Sequence, residues 1–342
     1  MNPFRAWNTF WFQPVSARPM ASFRIVIGVI TLAHLFLLSC DLDHWLTDQG
    51  LLQGTEAREL AGPWRPSPLQ WVQDPTSVRV FVAATALVAT FVTIGWRTRV
   101  NTVLLYLMIL SIHHRNIPTN CGPDNLLLLM VFYLMLCPCG AAYSLDARRE
   151  SRRRGTLAEP LILPWAQRLV QLHLSLIYLD TAVLKCNGAT WLGGTALHFV
   201  LYNPEIGRFD FSGLTQYPVL INILTMVALF VEFALSFLLW FRATRTWIIF
   251  MGLALHAGVL FIVNVPLFGE LMTACYLTFL TPTELDCMLS ALDIRRWFAR
   301  GRANPPGRID PPEAAIVKGP YLRESRIQEE DALGVGRLDA AL

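Results

Sequence analysis

Lysine is almost absent from this chain, where two lysines stand against twenty-six arginines. Lys318 lies in a polar C-terminal stretch, whereas Lys185 ends the apolar run LIYLDTAVLK. A lysine in that setting can do what an arginine cannot. Burial can lower a lysine's pKa enough to make a neutral amine, which is a base. Gln171, Tyr178 and Lys185 are seven residues apart with Thr181 between them, so on a helix they share one face. His173 and Asp180 form a second stripe well round the same helix. Two plainer readings stay open beside the catalytic one. Lys185 can snorkel to the membrane interface, and the polar stripes can serve as hydrogen bonds between helices.

The histidines extend the pattern. His113 and His114 close one apolar run just before RNIPTNCGPDN, and His256 lies in LALHAGVLFIVNVPLFGE, with Asn264 and Glu270 beyond it. His34 falls late in the first apolar run and His44 in the loop after it. Any one of them alone reads as a structural histidine. Together with Lys185, most fall in one half of a helical bundle, which points to an acid–base site. The candidate catalytic residues are therefore Lys185, His113, His114 and His256, with Tyr178, Gln171, Asn264 and Asp124 expected to line a substrate pocket. Glu232 lies deeper, with an arginine or a polar helix face as its expected partner. The cysteines show no CxxC pair with metal spacing, and no metal is expected.

The elements that must position these groups are membrane helices. The chain is 54% hydrophobic and only 15% charged, against about 25% charged in a soluble domain. Apolar stretches cover residues 21–40, 78–95, 100–112, 125–139, 169–185, 218–240, 246–263 and 267–281. They are continuous and not alternating, which favours helices over a β-barrel. A perpendicular span needs about 20 residues, so the third, fourth and eighth are short. The expected fold is all-α, a polytopic bundle of about eight transmembrane helices.

Arginines recur in alternate connections: at Arg5, Arg18 and Arg24, at Arg97 and Arg99, from Arg148 to Arg154, at Arg242 and Arg245, and from Arg295 onwards. The opposite connections are arginine-poor and carry Asp41, Asp43, Asp48, Asp124 and Glu205. This places both termini on the cytoplasmic side of a multi-pass protein of the cell membrane. The net charge of +3 is thus a topology signal, and no nucleic-acid partner is expected. Residues 1–20, with the aromatic stretch FRAWNTFWF, read as an interfacial amphipathic segment on the lipid bilayer. Residues 21–290 read as the transmembrane domain and 291–342 as a cytoplasmic, largely disordered tail. Cys40, Cys121 and Cys186 fall near outer helix ends, where a disulfide between two of them is one expectation.

Four segments together resemble a known family. They are DLDHWLTDQGLL after the first span, HHRNIPTNCGPDNLLLL, the pattern Q-x6-Y-x6-K followed by W-x-G-G, and LHAGVLFIVNVPLFGELMTACYLTFLTP. Their order and spacing resemble the horizontally transferred transmembrane (HTTM) domain, which is the membrane domain shared with vitamin K-dependent gamma-carboxylases. In those carboxylases a membrane lysine deprotonates reduced vitamin K. Oxygen converts the quinol to an epoxide, and the base so formed removes a proton from a glutamate to which carbon dioxide adds. The resemblance implies that Lys185 stands where that lysine stands. It implies that His114 or His113 matches the histidine that steadies the carbanion, and that His256 matches the histidine of the late helix. A reduced quinone, vitamin K-like, is the implied lipid-soluble ligand. The family pattern has two adjacent lysines, whereas here Leu184 precedes Lys185.

Two functional readings follow. The first is an acid–base enzyme with Lys185 as base on a quinol-type substrate. The second is a non-catalytic membrane module that binds lipid or a partner protein, with Lys185 paired to Asp180, Glu232 or Glu270. A transporter fits less well, because the sequence has neither an inverted repeat nor a pair of broken helices.

Overall fold

The computed structural model describes residues 2–72, 74–155 and 159–291. The tail expected over 291–342 lies outside the described residues, apart from its first position. Among the described residues, the regular structure is helical save for one short strand pair and an isolated bridge.

Helix α1 (Pro3–Phe12) starts where the Asn2 side chain accepts from the Phe4 amide, 3.0 Å away, with Pro3 at its first position. Phe4, Trp7 and Phe12 are exposed on it. Strand β1 (Val15–Ser16) pairs antiparallel with β2 (Leu161–Ile162). Helix α2 (Arg18–Cys40) follows. The loop after α2 folds into α3 (Leu42–Leu46), α4 (Gly54–Ala61) and a 3-10 turn, Pro68–Gln70. Next come α5 (Pro75–Ile94), α6 (Thr98–Arg115), α7 (Gly122–Leu136) and the basic α8 (Leu145–Arg154). The second half holds α9 (Trp165–Cys186), the short α10 (Ala189–Leu192) and α11 (Ala196–Tyr202), then α12 (Pro218–Leu238), α13 (Arg242–Ile262), α14 (Phe268–Ala274) and α15 (Pro282–Ala291).

Five of these helices, α2, α5, α9, α12 and α13, are long and apolar enough to cross a membrane. The third and fourth expected spans become α6, whose ends are polar, and α7, which has 15 residues. The eighth departs most from expectation. It is the seven-residue α14 followed by a 3-10 turn, Cys275–Phe279. Irregular backbone at membrane depth is tolerated where protein surrounds it. Leu271, Met272, Cys275, Tyr276 and Phe279 are all buried, and this segment packs against α2, α7, α9 and α13.

Helix α5 shows how the sequence writes its own ends. The Asp74 side chain accepts from the Ser77 amide at 2.9 Å, Pro75 opens the helix, and Gly95 ends it in the left-handed conformation at φ +72°. Fully buried Arg24 on α2 reaches that terminus, donating to the Val92 carbonyl at 2.9 Å and the Tyr143 carbonyl at 2.7 Å. A positive charge suits the negative end of a helix. A Cβ at position 95 would lie 2.2 Å from Arg24 Nη1, so glycine is required twice over.

Asp146 completes this junction, accepting from the amides of Arg97 (2.9 Å) and Thr98 (2.7 Å) and from the Thr98 hydroxyl (2.8 Å). Burial pushes its carboxyl up, but the hydrogen bonds from Thr98 and Arg97 outweigh that and hold it below its ordinary 3.8. A depressed carboxyl binds fewer protons folded than unfolded. Its stabilisation is therefore complete above 3.8 and fades as pH falls through the folded value. Melting curves of the detergent-solubilised protein from pH 7 to pH 3 should show Asp146→Asn with a shallower acid limb than wild type. An unchanged limb would remove Asp146 from the account.

Candidate functional site

The stripe expected on α9 faces inward, as its spacing requires. Gln171 and Tyr178 are buried. Gln171 donates to the Thr278 carbonyl at 2.6 Å and accepts from Arg168 at 2.8 Å. Thr278 lies in the irregular turn after α14, so Gln171 serves backbone that has no regular helical partners.

About two turns further on, Tyr178 Oη lies 2.7 Å from His256 Nε2 and 2.6 Å from Tyr276 Oη. Three elements, α9, α13 and the 3-10 turn 275–279, thus meet in one buried polar chain. His256 Nδ1 and Glu270 Oε2 are also buried and lack a hydrogen-bond partner among the described residues. Phe268 sits edge-on to the His256 ring, with centroids 5.9 Å apart.

Lys185 ends the stripe. Its Nζ donates to both carboxylate oxygens of Glu232 on α12 and stands 4.8 Å from the ring centre of Trp191. Lys185 is the penultimate residue of α9, yet Glu232 is fourteen residues into α12, about 21 Å along that helix. The pair therefore lies well inside the length of α12. Residues 189–202 account for the offset, because α10 and α11 pack beside the N-terminal part of α12. Leu197 donates its amide to Thr225, and Asn222 donates to the Gly193 carbonyl. The Lys185 and Glu232 side chains are 23% and 14% exposed, so the pair is reachable from one side.

His113 belongs to a second cluster. It is buried on α6 and faces His34 on α2, ring centroids 5.7 Å apart. Asp124, in the first turn of α7, has Oδ1 3.7 Å from His34 Nδ1. Its Oδ2 accepts from the Cys121 amide at 2.9 Å and the Cys121 thiol at 3.1 Å. Burial, and then the bond to Asp124, push that thiol up to about 11, so it stays protonated and donates. These residues border a cavity of about 290 Å³, which Lys185 does not line. Cys40, Cys121 and Cys186 form no disulfide among the described residues.

The remaining candidates are placed elsewhere. His114 turns away from His113, with Nδ1 3.2 Å from the Pro66 carbonyl. Asn264 is exposed, and its amide donates to the Ile206 carbonyl at 2.7 Å. The HHRN segment is largely an anchor for the loop after α2. Fully buried Arg115 donates to Asp48 and to the Leu52 carbonyl, each at 2.9 Å, and Asn116 donates to the Trp45 carbonyl. An arginine in an arginine-poor connection was the available signal for that role. Glu232 and Tyr276 are the site residues that sequence reasoning underrated. Glu232 is the single acid in the apolar stretch 218–240, which marks it as paired or functional.

Comparison with known proteins agrees with the arrangement of these segments. The family described as the HTTM domain matches residues 12–283, most of the chain. No curated protein and no solved structure matches it.

Proposed function

The chain belongs to the HTTM domain family and is a membrane-embedded protein; from that premise we propose that it is an acid–base enzyme acting on a lipid-soluble, quinol-type substrate. The observation that supports this reading is the inward polar face of α9, where Lys185 follows Tyr178, itself joined to His256 and Tyr276 in a buried chain; the Lys185–Glu232 pair is what the second reading expects. To act as a base, Lys185 passes its own proton to Glu232, whose two carboxylate oxygens face it. Lys185 then accepts a proton at Nζ, and Glu232 holds the companion proton close by.

The second group of residues supports binding. With Tyr178 donating to His256 Nε2, the imidazole proton is on Nδ1, the buried atom without a partner. His256 Nδ1 and Glu270 Oε2 are suited to the oxygens of a bound quinol, which is the fit test such a ligand must meet. A reduced quinone supplies acidic hydroxyl groups and two electrons. Trp191 and the exposed Leu184 and Leu192 give an apolar approach.

The same reading sets the topology. Eight crossings, with α14 and its 3-10 turn as the last, put the basic α8 and both termini on the cytoplasmic face of the cell membrane. Residues 1–20 ride the interface, with the aromatic side chains of α1 in lipid.

A photoreactive naphthoquinone tests the reading directly. With the full chain in nanodiscs, label is expected on peptides covering 171–191 and 252–270, with competition by unlabelled quinone. Label spread over lipid-facing helices without competition would sink it. The second reading, a non-catalytic module, draws on the same ion pair, since both carboxylate oxygens and the indole face already satisfy Lys185. Variants that separate the two readings are treated in the Discussion.

A further inference from the structure

We infer that His34, His113 and Asp124 bind a divalent first-row transition-metal ion, at a site separate from Lys185. The three side chains come from three helices, α2, α6 and α7. One ligand atom from each lies within 4.8 Å of the others. A tetrahedral zinc ion with bonds of about 2.0–2.1 Å needs its ligand atoms about 3.4 Å apart. Small side-chain rotations therefore close the site, and the His34–Asp124 separation of 3.7 Å is nearly there already.

Among the described residues, most of the donor atoms in this cluster are unengaged. Both ring nitrogens of His113 are buried without a hydrogen-bond partner among the described residues, as is His34 Nε2. His113 is 4% exposed. Buried polar atoms are almost always hydrogen-bonded, and an unmet set of this size calls for a ligand. His34 Nδ1 and Asp124 Oδ1 are too far apart for a hydrogen bond.

The surroundings hold the ligands in aim. Asp124 Oδ2 is fixed by the Cys121 amide and thiol, which leaves Oδ1 for the ion. The His113 carbonyl accepts from Asn120 at 2.8 Å, tying the end of α6 to the connection before α7. Such fixing of ligands by outer contacts is usual at metal sites. Two imidazoles and one carboxylate suit zinc, cobalt or ferrous iron, and suit calcium or magnesium poorly. Three protein ligands leave a fourth position on the 290 Å³ cavity, which Trp45, Leu127 and Leu271 also line. That is the pattern of an open site and not of a closed structural one.

The test uses full-length protein without a histidine tag, purified in detergent, stripped with chelator and reloaded with zinc chloride. After removal of free metal, elemental analysis should give about one zinc per chain for wild type. His113→Gln and Asp124→Asn should retain less than a tenth of the wild-type content, whereas the exposed His44→Gln should retain it all. Added zinc should raise the Tm of wild type and leave that of His113→Gln unchanged. Cobalt should give visible absorption bands in wild type alone. His34→Gln serves if His113→Gln does not fold. Wild type that binds no zinc, or variants that bind as wild type does, would overturn the inference. So would loss of zinc in Lys185→Met, because the two sites would then be one.

Discussion

Lys185→Met should lower quinol turnover by about 10²–10⁴-fold, the range that a positioned acid–base group contributes. Rates are measured on nanodisc-embedded protein, with a short-chain naphthoquinol as the probe and dissolved oxygen as the electron acceptor. Methionine matches the length of the lysine stem but has no basic nitrogen. The substitution also strands the Glu232 carboxylate. Removing one partner of a buried pair costs about 3 kcal/mol, seen as a fall of about 5–10 °C in Tm. The double variant Lys185→Met/Glu232→Leu should recover most of that stability, because nothing charged is left behind. It should recover no activity.

The charge-swapped variant Lys185→Glu/Glu232→Lys separates the two readings. A structural lock works in either direction, so a merely structural pair would leave every function of the protein intact. A base must be aimed, and moving the amine from α9 to α12 takes it away from the face it shares with Tyr178. Stability near wild type with lost turnover is the catalytic result. Full function in the swapped variant would return Lys185 to the role of a helix fastener.

Arg24→Met is the second change with a large expected effect. The Arg24 guanidinium is fully buried and bridges two carbonyls on separate segments, Val92 at the end of α5 and Tyr143 before α8. Losing it leaves both acceptors without this donor and opens a void at the junction. Breaking such a buried charged contact costs about 3–5 kcal/mol. Lysine should rescue little, because the two carbonyls need the forked geometry of a guanidinium. Arg79→Met is the comparison. Arg79 pairs with Asp43 on the surface, at 57% and 46% exposure, and such pairs contribute about 0–1 kcal/mol. Folded yield and Tm of the three variants check the ranking. Equal losses for Arg24→Met and Arg79→Met would contradict it.

The membrane character of the chain was legible in its composition, and the inward face of α9 in a spacing of seven. Both rest on period and hydropathy, which are local properties. The pairing of Lys185 with Glu232 was foreseen only as one of three options. Its depth was hidden, because α9 ends early and residues 189–202 fold beside α12, and such an offset leaves no periodic trace. The histidines were read as one group on the strength of a shared side of the membrane. The described contacts divide them instead, since His256 serves the chain with Tyr178 whereas His113 faces His34. Side of the membrane is a single coordinate, and two residues that share it can still sit on different helices. The meeting of His34 with Asp124 joins positions ninety apart in sequence, which only the packing of α2 against α7 creates.

The irregular segment after Leu267 also bears on how the protein is made. Twelve residues of short helix and 3-10 turn are too few to settle in lipid as an independent unit. On the eight-crossing reading, such a segment finds no stable place of its own until α2, α7, α9 and α13 have gathered around it. Truncation after α13 should therefore give helices that insert but do not lock together, a late checkpoint in biogenesis governed by one of the last pieces to arrive.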